Sequence, residues 1–300
     1  MTLKQLEAFY WAATCRNFSI AAERVNLSPS SLSKRLAELE NSLGVQLFAR
    51  SGRSADLTPS GAQLLPRIRE LLRSAAELQQ TATHGQGLHG RCRIGVGELS
   101  GLTWLPKLVH EVTKLHPDLQ LEPYVDIGEV LEQRIEDGEL DCAVIAGAPS
   151  STRLASEWVA EARFVWAASP ALIVLAGTDA LQRLMQEQTL ICLPQGAGGT
   201  RLLEQWLARH SKTIQSRLTC NNWGAVVGMV IEGLGYTFMP KAWAEALQAR
   251  QALQVLQRGG SLAPLSYSVQ WRVDDTRPMI TEIRDIIRSV IDFPAPRSLT

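Results

Sequence analysis

The chain has 300 residues, 45% apolar and 20% charged, which exceeds one typical domain and is ordinary for soluble globular protein. Its formal charge is zero, but residues 1–91 hold eleven Lys/Arg against seven Asp/Glu and the rest nineteen against twenty-three, so +4 is followed by −4. That asymmetry suits a nucleic-acid partner at the N-terminal end, and the lack of an apolar run of about eighteen residues argues against a membrane span.

Leu3, Leu6, Phe9, Tyr10 and Ala13 recur at helical spacing and predict a first helix. The stretch NFSIAAERVNLSPSSLSKRLAELENSLG then predicts two short helices joined by a tight turn. Ser19 is the candidate N-cap of the first, with Ala21, Ala22 and Val25 as its packing face. In the second, Ser28 can cap, and Pro29 suits the first helical position, where no N–H is needed. Leu32, Leu36, Leu39 and Leu43 form a continuous apolar stripe, and Gly44 closes the helix. The opposite face carries Ser30, Ser31, Ser33, Lys34 and Arg35. Such a helix suits insertion into a DNA major groove, although an ordinary αα-hairpin with a solvated face has the same pattern. Val45, Leu47 and Phe48, a basic turn with Arg50 and Arg53, and the return through Ala55-Asp56-Leu57 outline a β-hairpin wing. Its two arginines would meet phosphates or a minor groove.

Thr58 as N-cap and Pro59 at the first position open a helix predicted to run to about Thr83. Its stripe of Leu65, Ile68, Leu72 and Ala75, flanked by Leu64, Leu71 and Leu78, is more leucine than a lone surface helix needs. Leu65, Ile68 and Leu72 are therefore expected to form a seam between two copies of the chain, and Pro66 to bend the helix. Residues 84–90, rich in His and Gly, read as a linker.

From Arg91 strands alternate with helices. Cys92, Ile94 and Val96 alternate as a strand; Leu105, Leu108, Val112 and Leu115 mark a helix; Leu119, Leu121 and Val125 alternate again. A helix over Val130, Leu131, Arg134 and Ile135 to Gly138 and a buried strand from Leu140 to Ala146 complete a βαβαβ order, which implies a parallel, Rossmann-like sheet. A second unit begins near Phe164 and runs through strands at Leu190–Leu193 and Tyr236–Met239, with helices at Arg201–Arg209 and Ala225–Glu232. A strand from Tyr267 to Val273 and a helix from Met279 to Phe293 end the chain.

Gly95 to Gly101 has GxGxxxG spacing, not the GxGxxG of dinucleotide sites, so no cofactor is expected there. The geometry still offers a helix N-terminus at the sheet's carboxyl edge, able to hold a small anion. Gly196 to Thr200 is the matching element of the second unit. The five histidines are scattered and no HExxH or GxSxG occurs, so the chain is not expected to be an enzyme. Five widely spaced cysteines without a CxxC pair give neither a zinc site nor a disulfide framework. The opening MTLKQLEAFYWAATCR lacks the pattern of a signal peptide, and a cytoplasmic protein is expected.

The series AAERVNLSPSSLSKRLAELENSLGVQLFAR followed by LTPSGAQLL strongly resembles the LysR-type transcriptional regulators, and GRCRIGVG, GELDCAVI and VIEGLGYTFMP resemble their effector-binding region. The resemblance implies an N-terminal winged helix-turn-helix and two Rossmann-like α/β lobes similar to a periplasmic solute-binding protein. It places the DNA-binding domain at 1–58, a dimerisation helix at 59–87, the first lobe at 88–161 plus 268–300 and the second at 162–267. It also implies double-stranded promoter DNA with dyad symmetry, a small-molecule effector and a homodimer or homotetramer as partners. Ser100, Thr103, Gly128, Gly198, Thr200 and Asn222 are its candidate effector contacts, at helix N-termini that favour a carboxylate. Pro29 stands where the family often has glutamine, and Gly128 where it often has Ser or Thr. Glu98 opposes a pure anion site if it points inward. The competing reading is a solute-binding protein without regulatory DNA binding, which would leave residues 1–60 idle.

Overall fold

The computed structural model describes residues 1–49, 56–82, 87–256 and 262–296, with the side chains of 79–82 excepted. Four helices form the N-terminal part: α1 (Leu3–Thr14), α2 (Phe18–Arg24), α3 (Pro29–Leu43) and α4 (Pro59–Ala82). Asn17, not Ser19, caps α2: its side chain accepts from the Ile20 amide at 2.9 Å, while Ser19 lies inside the first turn. An asparagine two residues earlier reaches the same orphan donors, so the helix begins one turn-fraction sooner. Ser28 caps α3 with Pro29 behind it, and Gly44 ends it at φ +70°, where a β-carbon would be strained. The Glu40 carboxylate accepts from the Leu47 and Phe48 amides and fixes the base of the hairpin, where Phe48 bridges Leu57 antiparallel. The tip with Arg50 and Arg53 lies outside the described residues.

Ile68 of α4 is buried in the N-terminal core with Phe9, Leu32, Leu36 and Leu39, and Leu65 and Leu72 pack against the same cluster. The expected seam residues thus cover the chain's own helix-turn-helix, which has an apolar face of its own to hide. Leu71 and Leu78 point away from it and are exposed. The helix continues without interruption through Pro66.

The first lobe follows as β1 (Gly90–Val96), α5 (Glu98–Leu102), α6 (Leu105–Leu115), β2 (Leu119–Val125), α7 (Gly128–Glu136), β3 (Cys142–Ala146) and β4 (Leu154–Ala162). The second holds β5 (Phe164–Ala168), α8 (Pro170–Ala176), α9 (Ala180–Glu187), β6 (Thr189–Cys192), α10 (Gly198–His210), β7 (Ser216–Thr219), α11 (Trp223–Ile231), β8 (Tyr236–Pro240), α12 (Lys241–Ala249) and β9 (Gln254–Val255). The chain then returns to the first lobe with β10 (Leu265–Arg272) and α13 (Pro278–Val290). The strand orders are β2-β1-β3-β10-β4 and β7-β6-β8-β5-β9. In each sheet three parallel strands are extended by antiparallel ones, so neither is the purely parallel sheet read from the sequence. The crossovers fall at Arg163 and ahead of Leu265. Ala162 and residues 265–267, assigned to the second lobe from sequence, therefore belong to the first, because β10 pairs with β3 and β4 along its whole length.

The helix-turn-helix rests on the first lobe through a charged contact. Asp141 is fully buried and accepts from Arg24 Nη1 at 2.7 Å, from Arg277 Nη2, and from the Arg93 amide at 2.6 Å. The guanidinium groups of Arg24 and Arg277 lie 4.8 and 4.9 Å from the Trp11 ring. Arg16 binds Asp137 through its amide and its side chain, Arg24 Nε donates to the Gly138 carbonyl, and Arg272 Nη1 donates to the Thr14 carbonyl. Asp137 is the C-cap of α7 and Gly138 follows it.

Candidate functional site

Two surfaces carry the polar groups singled out by sequence. On α3 the first turn is a small hydroxyl network. The Ser28 hydroxyl accepts from the Ser31 amide, donates to Ser31 Oγ at 2.9 Å and lies 3.0 Å from Ser30 Oγ. Ser33 donates back to the Pro29 carbonyl. Ser30, Ser31, Ser33 and Lys34 are exposed and Arg35 is half-buried. Neither Lys34 nor Arg35 makes a hydrogen bond or ion pair among the described residues. Leu32, Leu36 and Leu39 anchor the other face in the core, so this polar face is held outward. Its chemistry is that of rotatable hydroxyls and a free ammonium at one helix start, able to meet base edges or phosphates.

The second surface is a cavity of about 460 Å³ between the lobes. It is walled by the carboxyl ends of β1, β2 and β3 and by the first turns of α7, α10 and α11. Gly128, Gly198 and Asn222 line it. Ser100, Thr103 and Thr200 do not. Thr103 Oγ1 turns back to the Leu99 carbonyl at 2.7 Å, and Thr200 Oγ1 to the Pro194 carbonyl at 2.8 Å, since each hydroxyl satisfies a local acceptor that the loop leaves open. Ser100 is wholly buried, and its hydroxyl has no hydrogen-bond partner among the described residues. Gly198 is required by close approach: a β-carbon there would come within 2.3 Å of Ala146 Cβ.

Charged groups also face the cavity: Glu98, whose direction the sequence left open, and Asp126 and Arg201, which the sequence reading missed. Glu98 points inward across the lobe boundary. Its Oε1 accepts from Asn222 Nδ2 at 3.1 Å and from the Trp223 amide at 2.9 Å, while Asn222 Oδ1 caps α11 by accepting from the Ala225 amide. Burial raises the Glu98 carboxyl above its ordinary value, against the opposing pull of the Trp223 N–H. The α11 N-terminus, expected to be open to a ligand anion, is thus already taken by a carboxylate of the chain. The signal was present in sequence, an acidic residue after the glycine turn, but its direction is a tertiary property. Arg201 was read only as a helix residue. It extends over Gly147, where an added methyl would meet Arg201 Nη1 at 2.8 Å, and it makes no hydrogen bond or ion pair among the described residues.

Among the described residues no helix is long and apolar enough to cross a membrane. Residues 3–62 match the family model of the bacterial regulatory helix-turn-helix protein, lysR family, and residues 85–292 that of the LysR substrate binding domain. The HTH-type transcriptional regulator YeiE of Escherichia coli K12 is 28% identical over 100% of this chain and 99% of its own. Full-length OxyR from Pseudomonas aeruginosa has the same fold with a TM-score of 0.64 and 22% identity, over 97% of this chain and 99% of that one. ArgP from Mycobacterium tuberculosis gives 0.66 at 18% identity, over 97% and 98%. A helix-turn-helix with an outward polar face and a two-lobed ligand-binding fold, each matched in order along one chain, identify this protein as a member of the LysR family of bacterial transcriptional regulators.

Proposed function

We propose that this regulator reads a dyad-symmetric promoter site as a homodimer or a homotetramer of dimers, and that a small carboxylate in the inter-lobe cleft modulates it in the cytoplasm. The observation that carries the reading is the outward face of α3, where Ser30, Ser31 and Lys34 are exposed beside Arg35 while the leucine stripe holds the helix rigidly from behind. The cleft supplies the second half: helix N-termini at Gly128 and Gly198, neither with a side-chain cap, and the guanidinium of Arg201, unpaired among the described residues. Two copies pair through α4 on the face of Leu71 and Leu78, seven residues apart and exposed, since Leu65, Ile68 and Leu72 are engaged within the chain. Arg50 and Arg53 contact the flanking DNA backbone.

Fluorescence anisotropy with the DNA upstream of the chain's own gene tests this. Specific binding is expected, with Lys34→Ala weakening it. Loss of a phosphate contact should reduce the salt slope by about one, whereas loss of a base contact should cost ~1–3 kcal/mol at one operator position. If Lys34→Ala, Arg35→Ala and Arg53→Ala all bind like the wild type at physiological salt, α3 is not the reading helix.

A further inference from the structure

The charges on the cavity wall do not describe a pure anion site. Three charged side chains line it, two acidic (Glu98, Asp126) and one basic (Arg201). Glu98 uses a single oxygen, Oε1, for both its bonds to Asn222 and Trp223, and its Oε2 makes no hydrogen bond among the described residues. Asp126 spends Oδ1 on the Ile127 amide at 2.8 Å. A ligand with negative charge alone would bring that charge into a wall already net acidic. A ligand with positive charge alone would leave Arg201 and the uncapped first turn of the thirteen-residue α10 unanswered. Covering a charge without supplying its partner is costly in either case. Acid and base also sit on different lobes: Glu98 opens α5 of the first, and Arg201 lies in the first turn of α10 in the second.

We infer that the effector is a small amino carboxylate, whose ammonium faces Glu98 and whose carboxylate faces Arg201 and the start of α10. This rests on the cleft being the effector site. Such a molecule answers both signs at once and ties Glu98 of one lobe to Arg201 of the other, whereas a simple carboxylate leaves Glu98 and Asp126 unanswered. The cavity of about 460 Å³ falls in the ordinary range of small-molecule sites.

The full-length protein is assayed by thermal shift and titration calorimetry against the standard L-amino acids, 4-aminobutyrate and 5-aminopentanoate, which scan the distance between the two charges. Each hit is compared with its amine lacking the carboxylate and its acid lacking the amine. At least one amino carboxylate is expected to stabilise the protein, with both singly charged analogues binding at least about tenfold more weakly. Glu98→Gln keeps an acceptor oxygen for Asn222 and Trp223 while removing the charge. It should weaken the amino carboxylate by about tenfold or more and leave the matched acid unchanged or tighter. Arg201→Gln should weaken the amino carboxylate and the matched acid alike and spare the matched amine. Unliganded melting of both variants checks that the fold is intact.

Gly97→Phe separates this idea from the reading beneath it. Gly97 lines the cavity at φ −70°, and a β-carbon there meets nothing within 4 Å, so a phenyl ring fills the cleft without backbone strain. A hit that survives Gly97→Phe binds elsewhere and defeats the cleft assignment, and the proposal with it. A hit abolished by Gly97→Phe but indifferent to both Glu98→Gln and Arg201→Gln defeats the amino carboxylate alone. So does a matched acid that binds as tightly as its parent, or a panel in which no amino carboxylate binds.

Discussion

At Asp141 donors from three separate parts of the chain meet one carboxylate: Arg24 of α2, the backbone of β1, and Arg277 ahead of α13. Burial alone would raise its pKa, but the Arg277 and Arg24 guanidinium groups and the Arg93 amide outweigh it and hold the carboxyl below the ordinary 3.8. A depressed folded-state value means that the unfolded chain takes up the proton first. The contribution is therefore complete above the ordinary aspartate range and is lost as pH falls through the lowered value. Urea unfolding of Asp141→Asn at neutral pH should show a loss on the order of 3 kcal/mol, because the buried Arg24 guanidinium then faces a neutral amide while Arg277 keeps Asp275. The variant should also lose less stability than the wild type on acidification below pH ~4. A loss under about 1 kcal/mol would mean that water already shares these charges. The sequence offered Asp141 only as part of the phrase GELDCAVI. That two arginines more than a hundred residues away on either side reach it is decided by the docking of domains, which no local pattern encodes.

Whole elements divide in the same way. The boundaries of α3 were legible because capping is local chemistry: Ser28, Pro29 and Gly44 act on atoms within one turn of themselves. The strand β4 went unseen because it is an edge strand whose outward Trp158 and acidic residues blur its alternation. In the cleft, glycine turns and helix starts could be read, but the directions of Thr103, Thr200 and Glu98 could not, since each depends on which acceptor or donor lies nearest after folding. The helix α4 illustrates the limit most usefully. Its leucine pattern announced an apolar face without saying which copy of the chain would cover it. Ile68→Asp should put a charge into the N-terminal core and cost at least about 3 kcal/mol of stability. Leu71→Asp together with Leu78→Asp should leave the melting of the monomer fold nearly intact while lowering the mass seen by light scattering. If the double variant keeps the wild-type mass, the exposed face of α4 is not the seam.

In the whole molecule the helix-turn-helix is seated on the first lobe of its own chain, so α3 does not choose its direction independently. Stacking of Arg24 and Arg277 about Trp11 adds about 0.5–2 kcal/mol per pair to the ion contacts, depending on desolvation. Breaking the seat with Arg24→Ala, which touches neither the outward face of α3 nor the cleft, should change operator affinity through orientation alone. Small-angle scattering should report a larger radius of gyration for this variant, and an unchanged radius would mean that the remaining contacts suffice.

The nine residues of α7, about 13.5 Å of helix, begin in the inter-lobe cavity and end beneath the helix-turn-helix domain. Its first residue, Gly128, lines the cleft; the carbonyls just past its last residue, at Asp137 and Gly138, receive Arg16 and Arg24. A rigid rod with one end in each compartment converts a displacement at one into a displacement at the other. Gly138 sits at φ +76°, and a β-carbon there would come within 2.8 Å of Cys15 Sγ, so Gly138→Ala should wedge the far end of the rod away from its seat. Such a protein is expected to bind effector and operator each on its own while neither alters the affinity of the other. Thermodynamic reciprocity makes the measurement possible from either side: whatever factor effector imposes on DNA binding, DNA must impose on effector binding, and in this variant both factors should fall to one.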